Sequence, residues 1–129
     1  MEAAVGAHIA KQMADLGLEV MTHDLGLNRV NVVGILPGKG GGRSLMLNGH
    51  LDTVGVQGVA APFSAANRDG KLYGRGACDM KGFLACVLAS VPLFTARALK
   101  EPIHIIVSYD EEVGCTGVRP LIARLGNDL

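Results

Sequence analysis

The sequence predicts an α/β fold, a mixed, largely parallel sheet flanked by helices. Two observations carry that expectation. Short β-branched runs alternate along the chain with stretches whose apolar residues recur every three or four positions, the alternation from which layered α/β domains are built. In addition, PIHIIVSY, residues 102–109, is apolar almost throughout, as a strand covered on both faces must be.

The elements follow in order. Val5, Ile9, Met13 and Leu16 share one helical face, and Gly17 supplies the stop. LEVMTH (18–23), RVNVVGILP (29–37) and RSLMLNGH (43–50) read as strands, the last two joined as a hairpin through GKGGG. NRDGKLYGRG (67–76) carries an Asp69-Gly70 turn signal before a brief extended piece. In MKGFLACVLASVPLFTARAL (80–99), Leu84, Val87, Leu88 and Val91 mark a helix face that Pro92 is expected to kink or end. The buried strand 102–109 follows, then a short helix in GVRPLIARLG (117–126) closed by Gly126.

With 129 residues, 49% of them hydrophobic, the chain can bury one core, so residues 1–129 are read as part of a single domain. Its 12 basic and 12 acidic side chains cancel, which gives no field favouring nucleic acid or an anionic membrane over a small neutral molecule. Cys78, Cys86 and Cys115 lack paired ligand spacing and are read as reduced thiols of a cytoplasmic protein. Apolar stretches are interrupted by Gly, Pro or charge before the roughly 20 residues of a membrane span, so a soluble protein is expected. MEAAVGAHIAKQMADLG lacks the pattern of a signal peptide and reads as part of a helix.

Three stretches carry candidate chemistry. In SYDEEVGC, Asp110, Glu111 and Glu112 follow the buried strand directly. Adjacent strand residues face opposite ways, so Glu111 and Glu112 can serve one site only if the backbone turns there. In NGHLDT, His50 and Asp52 lie two apart at a strand's C-terminal end, where open α/β sheets bind ligands. In GRGACDMKG, Asp79 precedes a helix, a position that an ordinary N-cap also fills. Together they form an imidazole and carboxylate set suited to zinc, cobalt or manganese, in which one glutamate binds metal while its neighbour takes a proton from water. GRGACD lacks the third glycine of a dinucleotide fingerprint, and PGKGGGRS lacks the Walker spacing, so both are read as turns. His8, His23 and His104 have no partner at ligand spacing and are read as surface or packing residues.

NGHLDT, DGKLYGRGACDMKG and SYDEEVGCTGV, in this order, resemble the dinuclear-zinc family of acetylornithine deacetylase, succinyl-diaminopimelate desuccinylase, aminoacylase and the glutamate carboxypeptidases, and resemble its acetylornithine deacetylase branch most. The resemblance implies a zinc-exopeptidase-like catalytic domain, of which this chain supplies the N-terminal portion without the lid domain. It implies two divalent metal ions, zinc or cobalt, with His50 on the first, Glu112 on the second and Asp79 bridging. Asp52 would stand behind His50, Glu111 would be the general base, and the Asp79-Met80 peptide would be cis. The substrate implied is a small N-acyl amino acid, with N-acetylornithine converted to ornithine and acetate in arginine biosynthesis. Succinyl-diaminopimelate, a dipeptide, or a non-catalytic homologue are the alternatives, and Gly55, where many relatives carry proline, leaves room for another acyl-amino acid. A cytoplasmic enzyme, homodimeric at full length, is implied. The family's remaining ligands lie beyond Leu129, so this chain alone is expected to bind metal weakly and turn over little substrate.

Overall fold

The computed structural model describes residues 2–40 and 42–126. Helix α1 (Ala3–Asp15) leads into strands β1 (Glu19–Asp24), β2 (Val30–Leu36) and β3 (Leu45–His50). A small hairpin, β4 (Ala66–Arg68) and β5 (Lys71–Tyr73), precedes an irregular helical turn at Ala77–Lys81, which runs into α2 (Gly82–Thr95). Strand β6 (Ile103–Ser108) and helix α3 (Val118–Leu125) complete the fold.

The main sheet has the order β1-β2-β6-β3. All six residues of β6 are buried, as expected of a run apolar on both faces. Odd-numbered Ile103, Ile105 and Val107 pack with Val32 and Leu36 of β2 against Ile9 and Met13 of α1 and Leu84, Val87, Leu88 and Val91 of α2. On the opposite face Val33 and Ile106 meet Leu121 of α3. Helices therefore cover both faces, and each fully buried aliphatic side chain contributes roughly 1.5–3 kcal/mol. The helical face expected in α1 is the one that packs, and Gly17 follows the helix with φ +86°. The Asp69-Gly70 turn closes β4 on β5, and Gly126 follows α3.

Two expectations are corrected, the hairpin and the balance of strand directions, and two others, Pro92 and the apolar helix, are filled in. The hairpin joins β1 to β2, not β2 to β3; β6 lies between the latter two. A fully apolar strand takes the centre of a sheet even when the strands beside it are neighbours in sequence. The sheet is mixed, as expected, but among the described residues only β3 and β6 pair in parallel, while β1–β2 and β2–β6 are antiparallel. Pro92 lies inside α2, which continues to Thr95, because proline removes one backbone bond and the next turn can resume. Finally, Ala77–Thr95, 19 residues of mean hydropathy 1.5, is long and apolar enough to cross a membrane by length and composition. Asp79 and Met80 have non-helical backbone, which leaves a regular helix of about 21 Å, short of the ~30 Å hydrocarbon core. Its Leu84, Val87, Leu88 and Val91 pack on the sheet.

The parallel pairing of β3 with β6 is what positions the site. It sets His50 opposite Ser108, so both strands end at the same edge and the segments that follow them meet. Leu51 N–H donates to Ser108 O at 2.7 Å, extending the pairing one residue beyond the strands.

Candidate metal centre

His50 ends β3 and is 4% exposed. Its Nδ1 lies 2.9 Å from the Asp52 carbonyl oxygen and 3.4 Å from Asp52 Oδ1. Both neighbours are acceptors to which a proton on Nδ1 can be donated, an arrangement that turns Nε2 toward Asp79 and Glu111. The backbone of Asp52 is thus the closer partner, with its carboxylate behind.

The same carboxylate does further work. Asp52 Oδ1 accepts from Glu111 N–H at 3.1 Å and Oδ2 from Glu112 N–H at 3.0 Å. One aspartate therefore ties the end of β3 to the loop after β6. That loop turns as the two-glutamate reading requires. Asp110 has φ +51°, and the N–H groups of Gly114 and Cys115 both donate to Glu111 O.

Asp79 sits in the irregular turn before α2. The N-cap position of α2 is Lys81 rather than Asp79, and Asp79 Oδ1 lies 3.1 Å from His50 Nε2. The Asp79-Met80 peptide is cis, as the resemblance implied. Lys81 fastens the turn to β3, its Nζ donating to Leu51 O at 2.9 Å. Gly49 lets α2 approach closely, since a Cβ there would lie 2.7 Å from Leu84 Cδ2 and 3.3 Å from Met80 Cε.

His50, Asp79 and Glu112 each offer a ligand atom within 4.8 Å of the other two. In a tetrahedral zinc site, bonds of about 2.0–2.1 Å put ligand atoms about 3.3 Å apart, and the 3.1 Å between His50 Nε2 and Asp79 Oδ1 suits two ligands of one ion. Imidazole nitrogen with two carboxylates is a donor set for zinc, cobalt or manganese. The residues fit a divalent cation. Glu111 stands beside them, Oε2 3.8 Å from His50 Nε2, while its Oε1 receives a 3.6 Å hydrogen bond from Cys115 Sγ. Desolvation first, then the hydrogen bond to Glu111 and its charge, push the Cys115 thiol above its ordinary pKa. Burial, reinforced by Asp110 and opposed by Arg29, raises the phenol of Tyr109.

Every residue singled out for the site, His50, Asp52, Asp79, Glu111 and Glu112, is thus brought to one edge of the sheet. His8 is exposed beside Gln12, and His23 and His104 are buried in the sheet, away from this cluster. All three cysteines are free and exposed. Sequence reasoning missed Arg29, Asn31, Lys81 and Cys115. For Asn31 a signal existed: an amide inside an apolar strand needs partners. An apolar cavity of about 270 Å³ beneath the β4–β5 hairpin shares Ala77 and Lys81 with the turn that carries Asp79.

The model of peptidase family M20/M25/M40 matches residues 46–128. The chain is 42% identical over 108 residues to an acetylornithine deacetylase of Myxococcus xanthus, covering 77% of this chain and 26% of that protein. It is 36% identical over 116 residues to an acetylornithine deacetylase of Shigella sonnei, covering 86% and 30% respectively. It also resembles the crystal structure of human carnosine dipeptidase 1, with a TM-score of 0.82 and 26% identity over 96% of this chain and 29% of that one. The chain spans between a quarter and a third of the length of these relatives.

Proposed function

This chain belongs to peptidase family M20/M25/M40, and from that premise we propose that it carries the amino-terminal side of the active site of a metal-dependent amide hydrolase that removes an acyl group from an N-acyl amino acid. The observation that carries the reading is the cluster of His50, Asp79 and Glu112 donors within 4.8 Å, with Glu111 alongside. His50 on one side and Glu112 on the other would hold two divalent cations, zinc or cobalt, with Asp79 between them. When bound, such ions supply Lewis acidity, lowering the pKa of a water and polarising an amide carbonyl.

The chain's own groups do the rest. Asp52 keeps the His50 proton on Nδ1 and grips the backbone of both glutamates. Glu111 takes the proton from the attacking water and returns it to the amine as the C–N bond breaks, leaving a carboxylic acid and an amine. Placing the base beside the ligands rather than among them leaves it free to shuttle protons.

Both curated relatives are named acetylornithine deacetylase, which supports N-acetylornithine as substrate, with ornithine and acetate as products in a cytoplasmic pathway of arginine synthesis. The likeness to carnosine dipeptidase 1 supports a dipeptide as the second reading. The protein is dialysed and titrated with Zn2+, then assayed on N-acetylornithine, N-succinyl-diaminopimelate and a dipeptide. Weak zinc uptake that is lost in His50→Ala, with what turnover there is, however slow, falling first on N-acetylornithine, is the expected result. Preference for either other substrate overturns the choice of substrate, and zinc uptake unchanged in His50→Ala overturns the site.

A further inference from the structure

We propose that Arg29 and Asn31, at the start of β2, are positioning residues for the carboxylate loop, holding residues 109–117 so that Asp110 faces back toward β2 while Glu111 and Glu112 face His50. The inference rests on the metal-site reading of those two glutamates, and its test separates the two.

Asn31 is fully buried, at 0% exposure, in a strand otherwise made of apolar residues and glycine. Its Nδ2 donates to Gly117 O at 2.9 Å, and its Oδ1 accepts from Tyr109 N–H at 3.3 Å. Those partners are the two ends of the loop. A buried amide left without them would lose both its hydrogen bonds with no water to replace them, so its satisfaction depends on the loop holding this shape. One side chain thus pins both ends of a nine-residue excursion.

Arg29 grips the middle. Its Nε donates to Asp110 Oδ2 at 2.7 Å, with the Asp110 side chain 16% exposed and that of Arg29 42% exposed. The left-handed backbone of Asp110, φ +51°, turns the chain between this carboxylate and the next two. The ion pair also neutralises the one carboxylate of the three that the metal site does not use, limiting repulsion at a centre already holding Asp52, Asp79, Glu111 and Glu112. The loop is therefore held from two directions. Asp52, just after β3, takes the N–H groups of Glu111 and Glu112, while Arg29, directly before β2, and Asn31 within it take Asp110 and the loop ends. Two points of attachment on rigid strands fix orientation where one would leave a pivot.

The test measures amide hydrogen exchange and zinc affinity on the same chain in Arg29→Met, Arg29→Lys and Asn31→Ala. In Arg29→Met the amides of Glu111 and Glu112 are expected to exchange roughly tenfold faster and zinc affinity to fall by about tenfold, the scale of lost outer-sphere support, while the amides of Ile105 and Val107 in β6 keep their protection. Arg29→Lys, which retains the charge, restores part of both. Asn31→Ala has the larger effect if it folds; if it does not, the partly exposed Arg29 variants carry the test. Unchanged exchange at Glu111 and Glu112 in Arg29→Met overturns the clamp. Faster exchange with unchanged zinc affinity overturns its positioning role. Protected amides in a wild-type chain that takes up no zinc overturn the metal-site reading instead, and with it the role that the clamp serves.

Discussion

At the scale of single residues, the three consecutive carboxylates have three different surroundings. Asp110 is paired with Arg29, Glu111 faces His50 and a thiol, and Glu112 joins the ligand cluster. If Glu111 is the base, Glu111→Gln keeps zinc affinity within about twofold while lowering turnover by roughly 10²–10⁴; metal titration beside a rate assay checks this, and parallel losses in both would make Glu111 a ligand. Tyr109 offers a prediction about pH. Its folded pKa is raised, chiefly by burial, above the ordinary 10.0, so the folded state favours the neutral phenol. Stability from this source is complete below about pH 10 and is lost as pH rises from there through the raised value. Urea unfolding between pH 8 and 11 should show that decline, and Tyr109→Phe should flatten it.

At the scale of elements, close approach governs how the loop and α3 meet the sheet. Gly117 lies at the start of α3, and a Cβ there would sit 1.9 Å from Tyr109 O and 2.9 Å from Tyr109 Cδ2. The obstacle is backbone, which cannot rotate away. Gly117→Ala is expected to destabilise the fold by about 1–3 kcal/mol and to weaken the Asn31 bond to Gly117 O, read as a lower urea midpoint with an unchanged slope. An unchanged midpoint would mean that the loop shifts freely. In the sequence this glycine only opens the stretch read as the last helix, whereas the atom that demands it comes from Tyr109, eight positions earlier and directly after β6. The same holds for Asp79. Before a helix it could serve as a cap, and the sequence sets it beside His50 only through the combined motifs and the resemblance; in the fold its Oδ1 lies 3.1 Å from His50 Nε2.

At the scale of the whole molecule, β3 lies at the edge of the main sheet with Leu45 52% and Met46 46% exposed. An edge strand with unpaired backbone groups and apolar side chains is a template for association. Light scattering should show the chain self-associating as concentration rises, and Met46→Lys should reduce it by at least about half, because a charged side chain on an edge opposes strand pairing; scattering unaltered by that change would locate the contact elsewhere. By itself the sequence determined the helices, the strands and the candidate residues that the fold brings together, because apolar periodicity, turn residues and the His-x-Asp and Glu-Glu motifs are local patterns. Strand order and the grip on the carboxylate loop were decided only by the tertiary structure. Placing β6 between β2 and β3, and setting Arg29 and Asn31 against a loop some 80 residues away, depends on which buried surfaces fit together, and no local pattern encodes that choice.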